Sequence, residues 1–145
     1  MKAAQFAMSA VFAVFGWIVP GGAYLLTRRY LQFLGFAVLV PATFAAGLAL
    51  HGGYRWPQPA ELRGLDNATV FFFKAGALGK VLAGGPYLLA RLLDGSHGFL
   101  DGRLHEYGST LLALAGLFNL LAISDALALR KLALRKLALR KAEPR

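Results

Sequence analysis

The sequence contains no cysteine and few charged residues. Only 16% of its 145 residues are Asp, Glu, Lys or Arg, whereas soluble domains average about a quarter. The absence of cysteine excludes thiol chemistry and leaves the redox compartment unspecified. Because 57% of the residues are hydrophobic, we expect a membrane protein rather than a soluble domain.

Enzyme signatures are also missing. The chain has no Gly-x-Ser-x-Gly motif, no Walker motif and no dinucleotide fingerprint. We therefore predict a non-enzymatic protein without a cofactor. One loop collects carboxylates and imidazoles that could bind a metal, but its glycines argue against the helix that would align them. We therefore interpret this segment as a solvated interfacial loop. It carries Asp94, His97, Asp101, His105 and Glu106.

Positive charge is concentrated near the end of the chain. The net charge is +9, and residues 126–145 hold seven Lys or Arg against one acid. A basic segment next to an apolar one is typical of the positive-inside rule and of binding to anionic lipid headgroups. We therefore expect membrane lipids as partners and no nucleic acid. The chain divides into a membrane helical bundle, 1–129, and a basic helical tail, 130–145.

The tail repeats the pentapeptide LALRK three times from Leu127. Its residues favour a helix, and the period of five spreads leucines and cations around that helix. The tail either prolongs the last helix into the cytoplasm or anchors it to anionic lipid. The candidate lipid-binding residues are Arg130, Lys131, Arg135, Lys136, Arg140 and Lys141.

Two uncharged runs, 3–27 and 30–54, open the chain. Each exceeds the roughly 20 residues that a helix needs to cross a bilayer. Pro20-Gly21-Gly22 interrupts the first run, so we predict helices at about 3–19 and 29–50. Arg28 and Arg29 then lie at the headgroups, beside Tyr24 and Tyr30 as aromatic anchors. The two cations are either a topology signal or a site for a lipid phosphate or a partner. A secretory signal peptide is the alternative for the first run.

The third apolar segment, 68–93, is interrupted by charge and by helix breakers. Lys74 and Lys80 oppose insertion, and Gly84-Gly85-Pro86 weakens the helix. The segment spans the membrane, is broken, or is re-entrant. On one continuous helix Lys80 and Arg91, eleven residues apart, would share a face.

The last apolar segment runs from Tyr107 to about Leu129. Asn119 lies near its middle and Asp125 near its end, and small residues share a broad face with the amide. Close helix packing in lipid uses small residues together with amides. We therefore expect Asn119 to form hydrogen bonds between helices and Asp125 to mark the lipid–water boundary.

Two stretches carry a family resemblance. "VPGGAYLLTRRYLQFLGF" (19–36) and "EYGSTLLALAGLFNLLAISDAL" (106–127) resemble an uncharacterised family of small bacterial multi-helix integral membrane proteins. A weaker likeness is to the two-transmembrane-helix domain, although Ala23 and Thr27 stand where those turns usually have Gly or Gly-His and Gly. The resemblance implies a multi-helix membrane architecture and a location in the bacterial inner membrane. It implies no reaction.

These observations predict an all-α integral membrane bundle of four transmembrane or near-membrane segments, the third of which spans, is broken or is re-entrant. We expect it to act by helix packing, as a homo-oligomer or as a subunit of a membrane complex. The alternative is a small transporter or channel in which Lys80, Arg91 and the Gly-Gly-Pro break line an anion path.

The basic tail predicts a cytoplasmic C-terminus. Four spans, which we favour, would place the N-terminus in the cytoplasm and the Arg28–Arg29 pair outside. Three spans with a re-entrant 68–93 would place the N-terminus outside and the Arg28–Arg29 pair in the cytoplasm.

Overall fold

A computed structural model of the chain describes residues 2–93 and 103–142. Every regular element in these two ranges is helical, which confirms the all-α class. In chain order the helices are α1 (Lys2–Ile18), α2 (Gly22–Leu25), α3 (Tyr30–Ala49), α4 (Asn67–Val81), α5 (Gly85–Leu93) and α6 (Arg103–Ala142).

The first turn reverses the chain between α1 and α3. Pro20 follows the end of α1, and Gly21 has a φ of 73°, a left-handed conformation that favours glycine. The single turn α2 then leads to α3. The predicted bounds of both long helices are correct to within one residue, because Pro20 and Gly21 are strong helix breakers.

Helix α6 is the element on which α1, α2, α3 and α4 pack. Its 40 residues extend about 60 Å at 1.5 Å per residue, which is twice the roughly 30 Å of a bilayer's hydrocarbon. The LALRK repeats continue this helix without interruption to Ala142.

The directions of the packed helices follow from their contacts with α6. In α1, Ser9 contacts Arg130 while Trp17 contacts Asn119, so α1 and α6 are antiparallel. Helix α3 is also antiparallel to α6, because its last turns lie against Gly108 and its first turns lie in the cluster that contains Ala126.

Helix α4 runs parallel to α6. A Cβ at Gly79 would contact Ala113, and the end of α4 lies beside Asn119. The chain then breaks at Leu82–Gly84, where Gly84 has a φ of 68°, and α5 begins at Gly85 with Pro86 in its first turn.

The break corrects the prediction of a shared cationic face on the third segment. Lys80 belongs to α4 and Arg91 to α5. Lys80 is half-buried, whereas Arg91 is exposed and donates to the Tyr87 hydroxyl (3.3 Å). The two cations therefore do not form one stripe.

Within residues 2–93 and 103–142, two helices are long and apolar enough to cross a membrane, by length and composition. They are Tyr30–Ala49, which is α3, and the stretch Leu104–Leu137 of α6. The apolar part of α1, Phe6–Ile18, is shorter. It ends beside Asn119, so α1 follows only half of the apolar part of α6. That the first run spans a membrane stays a prediction, since its helix α1 has 17 residues and a crossing helix needs about 17–25.

Candidate functional site

The ends of α1 and α4 meet inside the bundle, at the middle of the apolar part of α6. The Asn119 Nδ2 group donates to the carbonyl of Trp17 (3.3 Å) and to the carbonyl of Leu82 (3.1 Å). The Trp17 indole Nε1 donates to the Val81 carbonyl (3.0 Å). We call these four residues and Gly84, which packs against them, the junction.

The junction supplies hydrogen-bond donors to the carbonyl groups at two helix ends. The last carbonyls of a helix lack intrahelical partners, and they carry the negative end of the helix dipole. Asn119 supplies an N–H donor to each end, and the Trp17 indole supplies a third. The interhelical hydrogen bonds expected of Asn119 are therefore present, and they join three segments of the chain.

One polar atom of the junction is left over. Asn119 is fully buried, and its Oδ1 accepts no hydrogen bond from the described residues. A buried oxygen without a donor is costly. It can accept a hydrogen bond from a water or from the N–H or O–H group of a ligand.

Glycines allow the backbones at the junction to approach closely. A Cβ on Gly84 would overlap the carbonyl of Trp17, and a Cβ on Gly116 would overlap the carbonyl of Gly79. Gly84 also has the positive φ given above, so an L side chain is disfavoured twice. The Gly-Gly-Pro stretch is therefore where α4 ends against α1.

A second polar group lies nearer the start of α6, and we call it the Lys80 cluster. The Lys80 ammonium donates to the Gly53 carbonyl and to the Ser109 hydroxyl (3.3 Å). The Gly53 N–H donates to the same hydroxyl (3.1 Å). A ring nitrogen of His105, Nδ1, lies 2.7 Å from the His51 carbonyl. Lys80 thus ties the turn after α3 to α4 and α6, and these two partners are neutral.

Tyr24 and Asp125 form a pair that sequence reasoning missed. The Tyr24 hydroxyl donates to Asp125 Oδ2 (2.8 Å), and its ring stacks on Phe36 with centroids 5.6 Å apart. Tyr24 is 2% exposed, so its interpretation as an interfacial anchor is wrong. The pair is 101 residues apart in sequence, and no local spacing signals it.

Arg130 is the tail cation with the most defined surroundings. It donates to the Ser9 hydroxyl (3.0 Å), and its guanidinium lies over the Phe12 ring, 5.0 Å from the centroid. A cation over an aromatic face is attracted by the ring. These contacts attach the start of the tail to α1.

The remaining predicted cations lie on the surface. Arg29 donates to the Gln32 side chain (3.2 Å), and Arg28 has a φ of 57°. Exposed side chains are those of Arg28, Arg29, Lys74, Lys131, Arg135 and Lys136. Arg140 and Lys141 belong to α6, and their side chains lie outside the described part of the structure.

The loop considered for a metal lies mostly outside the described residues, because Asp94, His97 and Asp101 fall in the range 94–102. Within residues 2–93 and 103–142, no three His, Asp or Glu side chains come together as metal ligands.

Comparison with known proteins gives one match. No curated protein and no solved structure matches the chain. A family described as "Family of unknown function (DUF6677)" matches residues 11–136. The match includes both stretches that carry the resemblance to an uncharacterised family, and it covers most of the chain. The chain therefore belongs to this family of unknown function, DUF6677.

Proposed function

We propose that the chain is a non-enzymatic integral membrane protein that acts through helix packing, as a homo-oligomer or as a subunit of a membrane complex. One observation carries the proposal: large apolar side chains cover the outside, while the interior combines alanines with large side chains such as Val40, Phe44 and Leu112. Leu31 is 88% exposed, Leu92 82% and Phe6 78%. Fully buried positions include Ala23, Ala83, Ala115, Ala122 and Ala126.

The exposure of so many large apolar side chains is not expected in water. Soluble proteins bury large apolar side chains and rarely expose wide apolar patches. In lipid, where tails are as apolar as leucine, helices associate through small residues and interhelical hydrogen bonds. The alanines of the interior and the hydrogen bonds of Asn119 fit the second environment.

The helix directions support a specific membrane arrangement. In it, α3 and α6 cross the bilayer. Helix α1 enters from the side where α6 ends, the α4–α5 segment enters from the side where α6 begins, and they meet at the junction. Helix ends at such depth are tolerated when protein surrounds them. Of the four predicted segments, the second and fourth then span the membrane. The first and third reach about half-way across it, and the third is broken at Gly84.

Charge supports an orientation for this arrangement. The turn that carries Arg28 and Arg29 lies at the end of the bundle where α3 begins and the basic tail follows. The loop at the other end, 50–66, holds two basic and two acidic residues. By the positive-inside rule, the tail, the Arg28–Arg29 turn and the start of α1 face the cytoplasm. The resemblance to bacterial proteins favours the inner membrane.

Lipids and other membrane helices are the proposed partners. The cations of the turn and tail suit anionic headgroups. A position at the membrane surface accounts for these cations without a nucleic acid partner. The exposed apolar faces of α3 and α4, which include Leu31, Leu34 and the run Phe71–Phe73, suit a second copy or a partner helix.

A small transporter or channel is the second candidate. It is favoured by two half-length helices that end at a buried amide with a spare oxygen, an arrangement that resembles the discontinuous helices of transporters. An anion path through Lys80 and Arg91 has less support, because Lys80 donates to groups inside the bundle and Arg91 lies on the outside of α5.

Alkaline carbonate washing of membranes tests the first part of the proposal. The chain should stay with the membrane pellet, and its release into the supernatant would contradict an integral location. Chemical crosslinking and sizing in mild detergent then test action by packing. We expect a homo-oligomer or a stoichiometric membrane partner. A lone monomer that carries anion flux in liposomes would replace the first candidate by the second.

A further inference from the structure

A groove of about 420 Å³ lies between α1 and the part of α6 that follows the apolar segment. We call it the cationic groove. Its α6 wall is formed by Leu127, Arg130, Lys131, Leu134 and Arg135, and its α1 wall by Phe6 and Ser9. The wall contains three cations, one hydroxyl and three large apolar side chains.

The helix period explains how the LALRK repeat builds this wall. Counted from Leu127, the wall residues of α6 stand at spacings of 3, 4, 7 and 8, which is one face of an α-helix. The repeat as a whole has no such face, since its period is five. Lys136 carries the same charge next to Arg135 but does not line the groove.

Arg130 is held in place within the groove. One of its nitrogens, Nη1, donates to the Ser9 hydroxyl, and the Phe12 ring supports the guanidinium from one face. A guanidinium has five N–H donors in a planar fork. The donors not used by Ser9 remain available to a planar or tetrahedral oxyanion, and Arg binds phosphate with two parallel hydrogen bonds more readily than Lys does.

We propose that the cationic groove binds one anionic phospholipid, with its phosphate on Arg130, Lys131 and Arg135 and an acyl chain along Phe6, Leu127 and Leu134. The charges are complementary, and among the residues whose side chains the structure describes no acid lines the groove. Arg130 is the first cation after the apolar run that the sequence predicts to end at about Leu129, so the proposed arrangement places it among the headgroups. This inference rests on the proposed membrane location, and it adds a defined site to the general attraction of a basic tail.

The test compares two variants of the full chain with equal charge. The groove variant is Arg130→Gln/Lys131→Gln/Arg135→Gln, and the matched control is Arg63→Gln/Lys74→Gln/Lys136→Gln, which removes three exposed cations outside the groove. Each purified protein in a neutral detergent is titrated with dioleoylphosphatidylglycerol, and the bound lipid is counted by native mass spectrometry. Dioleoylphosphatidylcholine and inorganic phosphate serve as further probes.

The wild type should bind one phosphatidylglycerol saturably, with at least about tenfold preference over phosphatidylcholine. A cation near an anionic surface contributes about fivefold in affinity, so the groove variant should bind roughly a hundredfold more weakly. The control should stay within about threefold of wild type. Equal losses in both variants, or no loss in either, would overturn the site. Inorganic phosphate that competes as well as the lipid would show a phosphate site instead.

A pair of single substitutions keeps the test decisive if the groove variant fails to fold. Arg135→Gln and Lys136→Gln remove one charge each from neighbouring positions, and only the first lines the groove. We expect about fivefold weaker binding for Arg135→Gln alone, and equal effects would contradict the proposal. Because binding is measured in detergent, it fails or succeeds independently of the carbonate wash.

Discussion

At the residue scale, the polar side chains of the interior each connect segments that are distant in sequence. Asn119 joins α6 to the ends of α1 and α4, Lys80 joins α4 to the turn after α3, and Tyr24 joins the first turn to Asp125. Polar groups buried in an apolar bundle are costly unless paired. Their partners therefore define how the helices meet.

Replacement of Asn119 by leucine should destabilise the bundle. The substitution removes both hydrogen bonds to helix ends and leaves two carbonyls without donors. Interhelical hydrogen bonds in membranes contribute about 0.6–2 kcal/mol, and we expect a loss in this range by thermal unfolding in detergent. Ser124→Leu is the control, because Ser124 is exposed and bonds only the Leu120 carbonyl of its own helix. Equal melting of both variants and wild type would show that the junction contributes no stability.

Removal of the Tyr24 hydroxyl should also cost stability. Tyr24→Phe deprives Asp125 of its donor while the stacking on Phe36 remains. A hydrogen bond to a charged group contributes about 1.5–3 kcal/mol, so the melting temperature should fall. Tyr30→Phe, at a residue that is 64% exposed, should have almost no effect. The double variant Tyr24→Phe/Asp125→Asn should lose less than the sum of the single losses, and strict additivity would contradict the pair.

At the element scale, local sequence signals predict where helices begin and end, and long-range contacts decide how far they reach. Pro20 and Gly21 fixed the end of α1, and the break near Gly84 follows from Gly-Gly-Pro. The depth at which α1 stops was not predictable, because it depends on Asn119 meeting Trp17 across 102 residues. The pairing of Arg130 with Ser9 and Phe12 was missed for the same reason.

Two glycine-to-alanine substitutions separate packing from helix propensity. Gly116→Ala would place a methyl group against the Gly79 carbonyl, whereas a Cβ on Gly76 meets nothing within 4 Å. We expect Gly116→Ala to lower stability by more than about 1 kcal/mol. Gly76→Ala should be neutral or should stabilise by up to about 1 kcal/mol, since alanine favours the helix. Unfolding in detergent measures both, and the same sign for both would contradict the close approach of α4 and α6.

The start of α4 should depend on pH through Asp66. The Thr69 hydroxyl, the Thr69 N–H and the Ala68 N–H donate to this carboxylate, and the hydrogen bonds from Thr69 are the main reason that the pKa of Asp66 lies below its usual value. A lowered pKa in the folded state means that the cap is fully present above the unfolded pKa, about 3.9, and is lost as the pH falls through the folded value. Hydrogen exchange in the first turn of α4 should accelerate in Asp66→Ala at neutral pH, whereas Asp66→Asn, which keeps an acceptor, should stay close to wild type. Equal protection in all three would contradict the cap.

At the scale of the whole molecule, composition predicted an apolar helical chain and the structure adds the arrangement. Many large apolar side chains lie outside, the interior is rich in alanine, and the cations of the first turn and the tail lie at one end. The four-span topology expected from sequence places Arg28 and Arg29 opposite the tail. The proposed arrangement places them together, because α1 turns back at the junction. Local hydropathy does not distinguish these two arrangements, since both use the same apolar runs.

Cysteine labelling tests the proposed arrangement of the helices in the membrane, and the chain suits it because it has no cysteine of its own. Single cysteines are placed at exposed positions as Gln32→Cys, Gln58→Cys and Ala133→Cys, and intact bacterial cells are treated with a membrane-impermeant maleimide. The proposed arrangement predicts labelling of Gln58→Cys in intact cells, and labelling of Gln32→Cys and Ala133→Cys only after the inner membrane is permeabilised. Labelling of Gln32→Cys but not Gln58→Cys in intact cells would contradict it and would establish four full spans instead.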